Sequence, residues 1–254
     1  MPNECYKDNG EWVGEARSTS EGVAMGTVTD NLRAVKERIA KAAARVGRDP
    51  ESVTLVAVTK TMPVERIQEA IDAGQRVFGE NRVQEAQSKV EALGRGVRWH
   101  LIGHLQRNKV KAVCHLFDLI ESVDSLSLAQ DLDRRAARDD LVMPVLIQVN
   151  IGDETTKSGV PESEALALVQ QAALLPHLAV QGLMCVPPAV DLAEHARPYF
   201  VQLRSLAERI AGERIPNVSM AELSMGMSHD FEVAIEEGAT MVRVGSAIFG
   251  SRPV

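Results

Sequence analysis

The 254-residue sequence predicts an α/β fold, a TIM-type (β/α)8 barrel forming a single domain with an extra N-terminal helix. Three observations predict it. Beyond residue 26, apolar strand-like runs and amphipathic helical stretches alternate strictly, and eight strands fall within ~200 residues. The strands are near-continuous apolar runs, as in a parallel sheet covered on both faces. The first strand is followed by Thr-Lys-Thr-Met-Pro, where a doubly wound open sheet usually carries a glycine-rich dinucleotide turn.

The extra helix comes first. Leu32, Val35, Ile39, Ala43 and Val46 recur at spacings of three and four; Thr29 or Asp30 can cap the helix and Gly47 ends it. Residues 55–59 form the first strand. Pro63 then opens a helix over 64–73, which Gly74 closes. A short strand at 77–79 precedes a helix at 83–93. Residues 99–103 are strand-like, followed by a helix over 109–116. The fourth strand, 119–123, leads into a helix at 126–137. The fifth, 144–151, is apolar and β-branched, and its helix, 163–175, stops at Pro176. The sixth, 180–186, ends at Pro187-Pro188 and is followed by a helix over 193–211. The seventh, 222–225, precedes a helix at 231–237 that ends at Gly238. The eighth, 241–244, runs into a short helix at 247–249.

Composition narrows the classes. Hydrophobic residues make up 45% and charged ones 25%, which is ordinary for a globular chain, while aromatics at 4% require a mostly aliphatic core. The net charge of −7 argues against a nucleic-acid surface. No apolar run approaches the ~20 residues of a membrane span. Residues 1–26 are polar and aperiodic; they read as a disordered N-terminal extension without signal-peptide character, and 27–254 as the barrel. Cys5, Cys114 and Cys185 are odd in number and far apart, which fits a reducing, cytoplasmic compartment and no zinc site.

In a barrel the C-terminal strand ends line one mouth. Lys60 ends the first strand there. Partial desolvation would favour its free amine, which can form a Schiff base with an aldehyde; the bland alternative is a lysine whose stem packs while its charge reaches water. The seventh strand ends in Ser224-Met225-Gly226-Met227-Ser228 and the eighth in Arg243-Val244-Gly245-Ser246. Small residues at these two ends let backbone N–H groups approach a phosphate, although each glycine alone reads equally as a turn residue. An amine and a phosphate cradle on one rim suit a ligand carrying both aldehyde and phosphate, such as pyridoxal 5′-phosphate (PLP). A sugar-phosphate substrate of a Schiff-base aldolase is the competing reading. Arg243, facing a pyridine nitrogen, would disfavour its protonation and restrain carbanion chemistry; alternatively it pairs with a carboxylate such as Glu222.

The stretches 55–63, Phe78-Gly79-Glu80-Asn81, 99–109, 223–228 and 242–250 resemble the pyridoxal phosphate homeostasis protein family, also called the YggS or proline synthase co-transcribed family, over roughly 29–252. The resemblance implies a barrel similar to the N-terminal barrel of alanine racemase, with PLP on Lys60 as a Schiff base. It places Asn81 near the ring and Arg243 at the pyridine nitrogen, with Ser224, Met225, Gly226, Gly245 and Ser246 at the phosphate. It also implies buffering of PLP and its delivery to PLP-dependent apo-enzymes, without robust catalysis. Met62 stands where some members carry a second lysine. The alternative within this chemistry is a weak amino-acid racemase. Racemases take a second base, a tyrosine, from an additional domain. The tyrosines here are Tyr6 in the extension and Tyr199 in a predicted helix, so two-base chemistry is expected to lack a partner for Lys60. The same comparison leads us to expect a monomer. His104 is expected to be a rim residue bonded to backbone, and the His100/His104 pair, broken by Gly103, is not expected to bind a metal.

Overall fold

The computed structural model describes residues 26–152 and 158–250. Apart from Gly26, the expected N-terminal extension lies outside the described residues, as do Cys5 and Tyr6. Helix α1 (Val28–Arg45) starts earlier than the sequence reading places it. The cap is Thr27, whose Oγ1 accepts from the Asp30 amide at 3.1 Å and donates to the Asp30 carboxylate at 2.8 Å. A hydroxyl reaching the third helical amide satisfies a donor that the helix itself cannot, and this places the cap at Thr27 and not at Thr29 or Asp30.

The chain then runs β1 (Thr54–Val58), α2 (Val64–Asp72), β2 (Val77–Glu80), α3 (Val83–Leu93), β3 (Arg98–Leu101), α4 (Val110–Val113), β4 (Leu119–Val123), α5 (Leu126–Arg138), β5 (Met143–Asn150), β6 (Val160–Pro161), α6 (Glu162–Ala172), β7 (Leu178–Cys185), α7 (Arg197–Gly212), β8 (Val218–Met227), α8 (Phe231–Glu236), β9 (Met241–Val244) and α9 (Ser246–Phe249). Every pairing is parallel. β1 lies between β2 and β9, and β4 pairs with β5, so eight strands close into a barrel. β6 is a two-residue addition against the end of β5. The (β/α)8 fold is therefore as the sequence predicts.

Two elements differ. The helix expected over 109–116 is a 3-10 turn, Arg107–Lys109, followed by the single turn of α4. Val110, Val113, Cys114 and Phe117 are all buried, but the helix closes after one turn, with the Leu116 and Phe117 amides both donating to the Val113 carbonyl. The seventh barrel strand, β8, starts at Val218, four residues before the expected 222, because pairing with β7 extends the ladder into a stretch where Ser219 and Ala221 face solvent.

Strand periodicity fixes what points inward. Val56, Val77, Leu119, Leu146, Met184 and Met241, each from a different strand, form an apolar plug. Two residues further along these strands come Val58, Gly79, Glu121, Gln148, Val186 and Arg243. The barrel thus turns polar above the plug. Two beyond Val58 comes Lys60, again on the inward face at the mouth.

Candidate functional site

The mouth holds a cavity of about 380 Å³. It is lined by Lys60, Asn81, Arg243, Ser228, Gly245 and Ser246, with Met62, Ile102, Val186 and Phe249 as apolar wall. Of the expected site residues, Lys60, Asn81, Arg243, Gly245 and Ser246 therefore meet in one place.

Lys60 is held by its neighbours. The chain turns after β1, with Met62 N donating to Thr59 O at 2.9 Å and Thr61 at φ 63°. A β-branched residue in the left-handed region carries about 1–3 kcal/mol of strain. A buried second lysine, Lys89 of α3, offsets it. Its Nζ donates to Thr59 O at 2.7 Å, to Glu80 at 2.7 Å and to Glu85 at 2.6 Å. Glu85 in turn accepts from the Thr61 amide at 2.5 Å, and Glu80 accepts from Thr59 Oγ1 at 2.6 Å. The backbone on both sides of Lys60 is thereby tied to one charged cluster. Burial pushes the Glu80 carboxyl up, and the bonds from Lys89 and Thr59 only partly offset it.

Asn81 follows β2. It is fixed by a close approach: a Cβ on Gly103 would lie 2.4 Å from the Asn81 carbonyl oxygen, so only glycine lets the turn after β3 pack there. The Asn81 Oδ1 is buried and accepts no hydrogen bond among the described residues. Past the ends of β8 and β9, the amides of Gly245 and Ala247 converge on Ser228 Oγ at 3.1 and 3.5 Å. These two N–H groups and a hydroxyl make a small, donor-rich cradle.

Ser224, Met225 and Gly226 do not line the cavity, contrary to the sequence-based expectation of a phosphate contact. Met225 is fully buried in the core that β8 shares with the helices. Gly226, at φ 88°, admits α8, since a Cβ would lie 2.5 Å from that of Ala234. Ser224 points into the barrel, where its Oγ donates to Glu121 at 2.5 Å and accepts from Arg243 Nη1 at 2.5 Å. Arg243 Nη2 donates to the Cys185 carbonyl at 2.7 Å. Glu121 also meets His100 Nδ1 at 2.8 Å. Burial alone would raise the Glu121 carboxyl. The hydrogen bond and charge of His100, then Arg243 and Ser224, outweigh it and hold Glu121 below the usual carboxylate range. Arg243 therefore has Glu121 and not Glu222 as its nearest carboxylate; Glu222 accepts from Thr240 Oγ1 at 2.6 Å.

His104 is exposed and its Nδ1 lies 3.2 Å from the Asp124 carboxylate, so its partner is a side chain and not backbone. His100 and His104 point to different places, one into the barrel and one onto the rim. Tyr199 sits in α7 and does not line the cavity. Sequence reasoning missed Ser228, although it closes the quoted Ser-Met-Gly-Met-Ser run, and it missed Glu121 and His100. The strand period starting from Leu119 points to Glu121.

The family model for the alanine racemase N-terminal domain matches residues 31–253. The pyridoxal phosphate homeostasis protein of Aquifex aeolicus is 46% identical over 224 residues, covering 88% of this chain and 97% of that protein. That of Escherichia coli K12 is 44% identical over 232 residues, covering 90% and 98%. The chain belongs to the pyridoxal phosphate homeostasis protein family. Among solved structures, the family shares its fold with PipY of Synechococcus elongatus, determined with PLP bound; this chain is 37% identical to it with a TM-score of 0.77, covering 88% of the chain and all of PipY. Alanine racemase from Clostridium difficile 630, at 16% identity and a TM-score of 0.71, shows that the family's barrel is shared with the racemases; the match covers 89% of this chain and 60% of the racemase.

Proposed function

We propose that this chain holds PLP reversibly at the barrel mouth and serves intracellular PLP homeostasis by buffering the cofactor and delivering it to apo-enzymes. One observation carries the reading: a lysine, an arginine and a donor-rich cradle line the same cavity. PipY, a relative at 37% identity, has been solved with PLP bound, which supports the same ligand here. The residues present fit the cofactor. Asn81 offers a buried acceptor with no hydrogen-bond partner among the described residues, and the cradle offers donors of the kind a phosphate takes.

When bound, PLP supplies a reactive aldehyde and an electron-withdrawing ring. Lys60 would carry it as a Schiff base, its amine nitrogen joining the aldehyde carbon with loss of one water; hydrolysis of that bond returns the free lysine. Ser228, Gly245 and Ser246 would hold the phosphate, and Asn81 would sit beside the ring. Arg243 would present its guanidinium to the pyridine nitrogen and keep that nitrogen from taking a proton. This arrangement suits holding more than carbanion chemistry. We further infer a cytoplasmic monomer.

The test is an absorbance titration of the purified protein with PLP, followed by incubation with L-alanine in deuterated water. The reading expects a yellow, saturable complex and no α-deuteration at ordinary enzyme rates. A protein that stays colourless, or one that exchanges the α-proton faster than ~1 per second, contradicts it.

A further inference from the structure

We propose that His100 and Glu121 are positioning residues for the cofactor, acting through Ser224 to hold the Arg243 guanidinium in place and to balance its charge inside the barrel. The proposal rests on the PLP reading above. It goes beyond that reading by assigning a role to His100, Glu121 and Ser224, which lie behind Arg243 and do not line the cavity.

The geometry is a chain of contacts across four strands. His100 of β3 meets one oxygen of Glu121 on β4, and the other oxygen accepts from Ser224 of β8. Ser224 accepts from Arg243 of β9, whose second nitrogen is fixed by the Cys185 carbonyl. Both terminal nitrogens of Arg243 are thus directed, and the guanidinium sits 4.0 Å from the Glu121 carboxylate. Arg243 is 4% exposed and Glu121 and Ser224 are fully buried. A guanidinium so far from water requires a counter-charge, and Glu121 is the carboxylate in reach. Other ionisable groups face the same region: Lys60 from the end of β1, and His229 with Asp230 from the turn between β8 and α8. Asp230 is itself engaged, accepting from the Met227 amide at 2.6 Å. Glu121 therefore sets how much positive charge Arg243 projects into the cavity.

An uncompensated guanidinium disfavours a proton on any nearby nitrogen, so the readout is the protonation of the bound chromophore. The wild-type chain, Glu121→Gln and His100→Gln would each be saturated with PLP and their spectra followed from pH 6 to 10. Glu121→Gln should lower the midpoint of the spectral transition by about one pH unit, a tenfold change in proton affinity. His100→Gln, which weakens a partner that neutralises part of the Glu121 charge and so leaves more of it for Arg243, should shift it the other way, upward, and by less. Circular dichroism establishes folding, and if Glu121→Gln is unfolded or takes up no colour, His100→Gln decides. A folded, coloured variant with the wild-type midpoint overturns the proposal while leaving PLP binding intact. A wild-type protein that takes up no colour overturns both readings.

Discussion

Lys60→Ala is expected to abolish covalent capture of PLP. The variant should show no imine absorption band, and borohydride should fix no cofactor to it. Residual affinity should remain, because the cradle of Ser228, Gly245 and Ala247 does not involve Lys60. We expect a loss of roughly 100-fold in apparent affinity, or about 2.7 kcal/mol. The fold should be untouched. Lys60 is part-exposed, and the bonds that shape its turn come from the backbone of Thr59 and Thr61 to Lys89 and Glu85. An absorbance titration, with thermal denaturation as the control for folding, checks both halves. Retention of the band in Lys60→Ala would move the attachment to another lysine.

Lys89→Met should have the largest effect on stability. Lys89 is 4% exposed and neutralises Glu80, which is fully buried, and Glu85, which is partly so. Removing the ammonium leaves Glu80 buried without its cation, and breaking one side of such a pair costs about 3–5 kcal/mol. For a domain of this size each kcal/mol moves the thermal midpoint by roughly 2–4 °C, so a fall of roughly 6–20 °C is expected. The double variant Lys89→Met/Glu80→Gln should recover part of it, since no unpaired charge is then buried. PLP affinity should stay reduced in both, because the Thr59 carbonyl loses its bond from Lys89 in either case. A single variant that melts within 2 °C or so of wild type would show that the cluster contributes little.

The architecture was legible because each element announces itself within a few residues. Apolar runs such as Leu55-Val56-Ala57-Val58, ended by Lys60 and Pro63, carry the strand–helix alternation without reference to distant partners. Lys60 and Gly245 were legible as mouth residues for the same reason, each ending a strand there, whereas the expectation for Asn81 came from the family resemblance. The interior network was not. Ser224 and Glu121 lie 103 residues apart, and their contact exists only once the barrel closes through the pairing of β4 with β5. Ser224 and Ser228 read alike in sequence. Only the path of β8 separates them, with Ser224 inside the barrel and Ser228 past its end. The sequence predicts a helix over 109–116, but its shortness was not legible, because the apolar spacing continues through Cys114 and Phe117, past the single turn of α4.

The central claim is that Lys60 is where PLP is held. The most direct measurement is to load the full-length wild-type chain with PLP, reduce it with borohydride, digest it and locate the modified lysine by peptide mass spectrometry. The predicted result is one reduced pyridoxyl-phosphate adduct, on the peptide containing Thr59-Lys60-Thr61. An adduct chiefly on another lysine, or no adduct from a protein shown to be folded, would contradict the account.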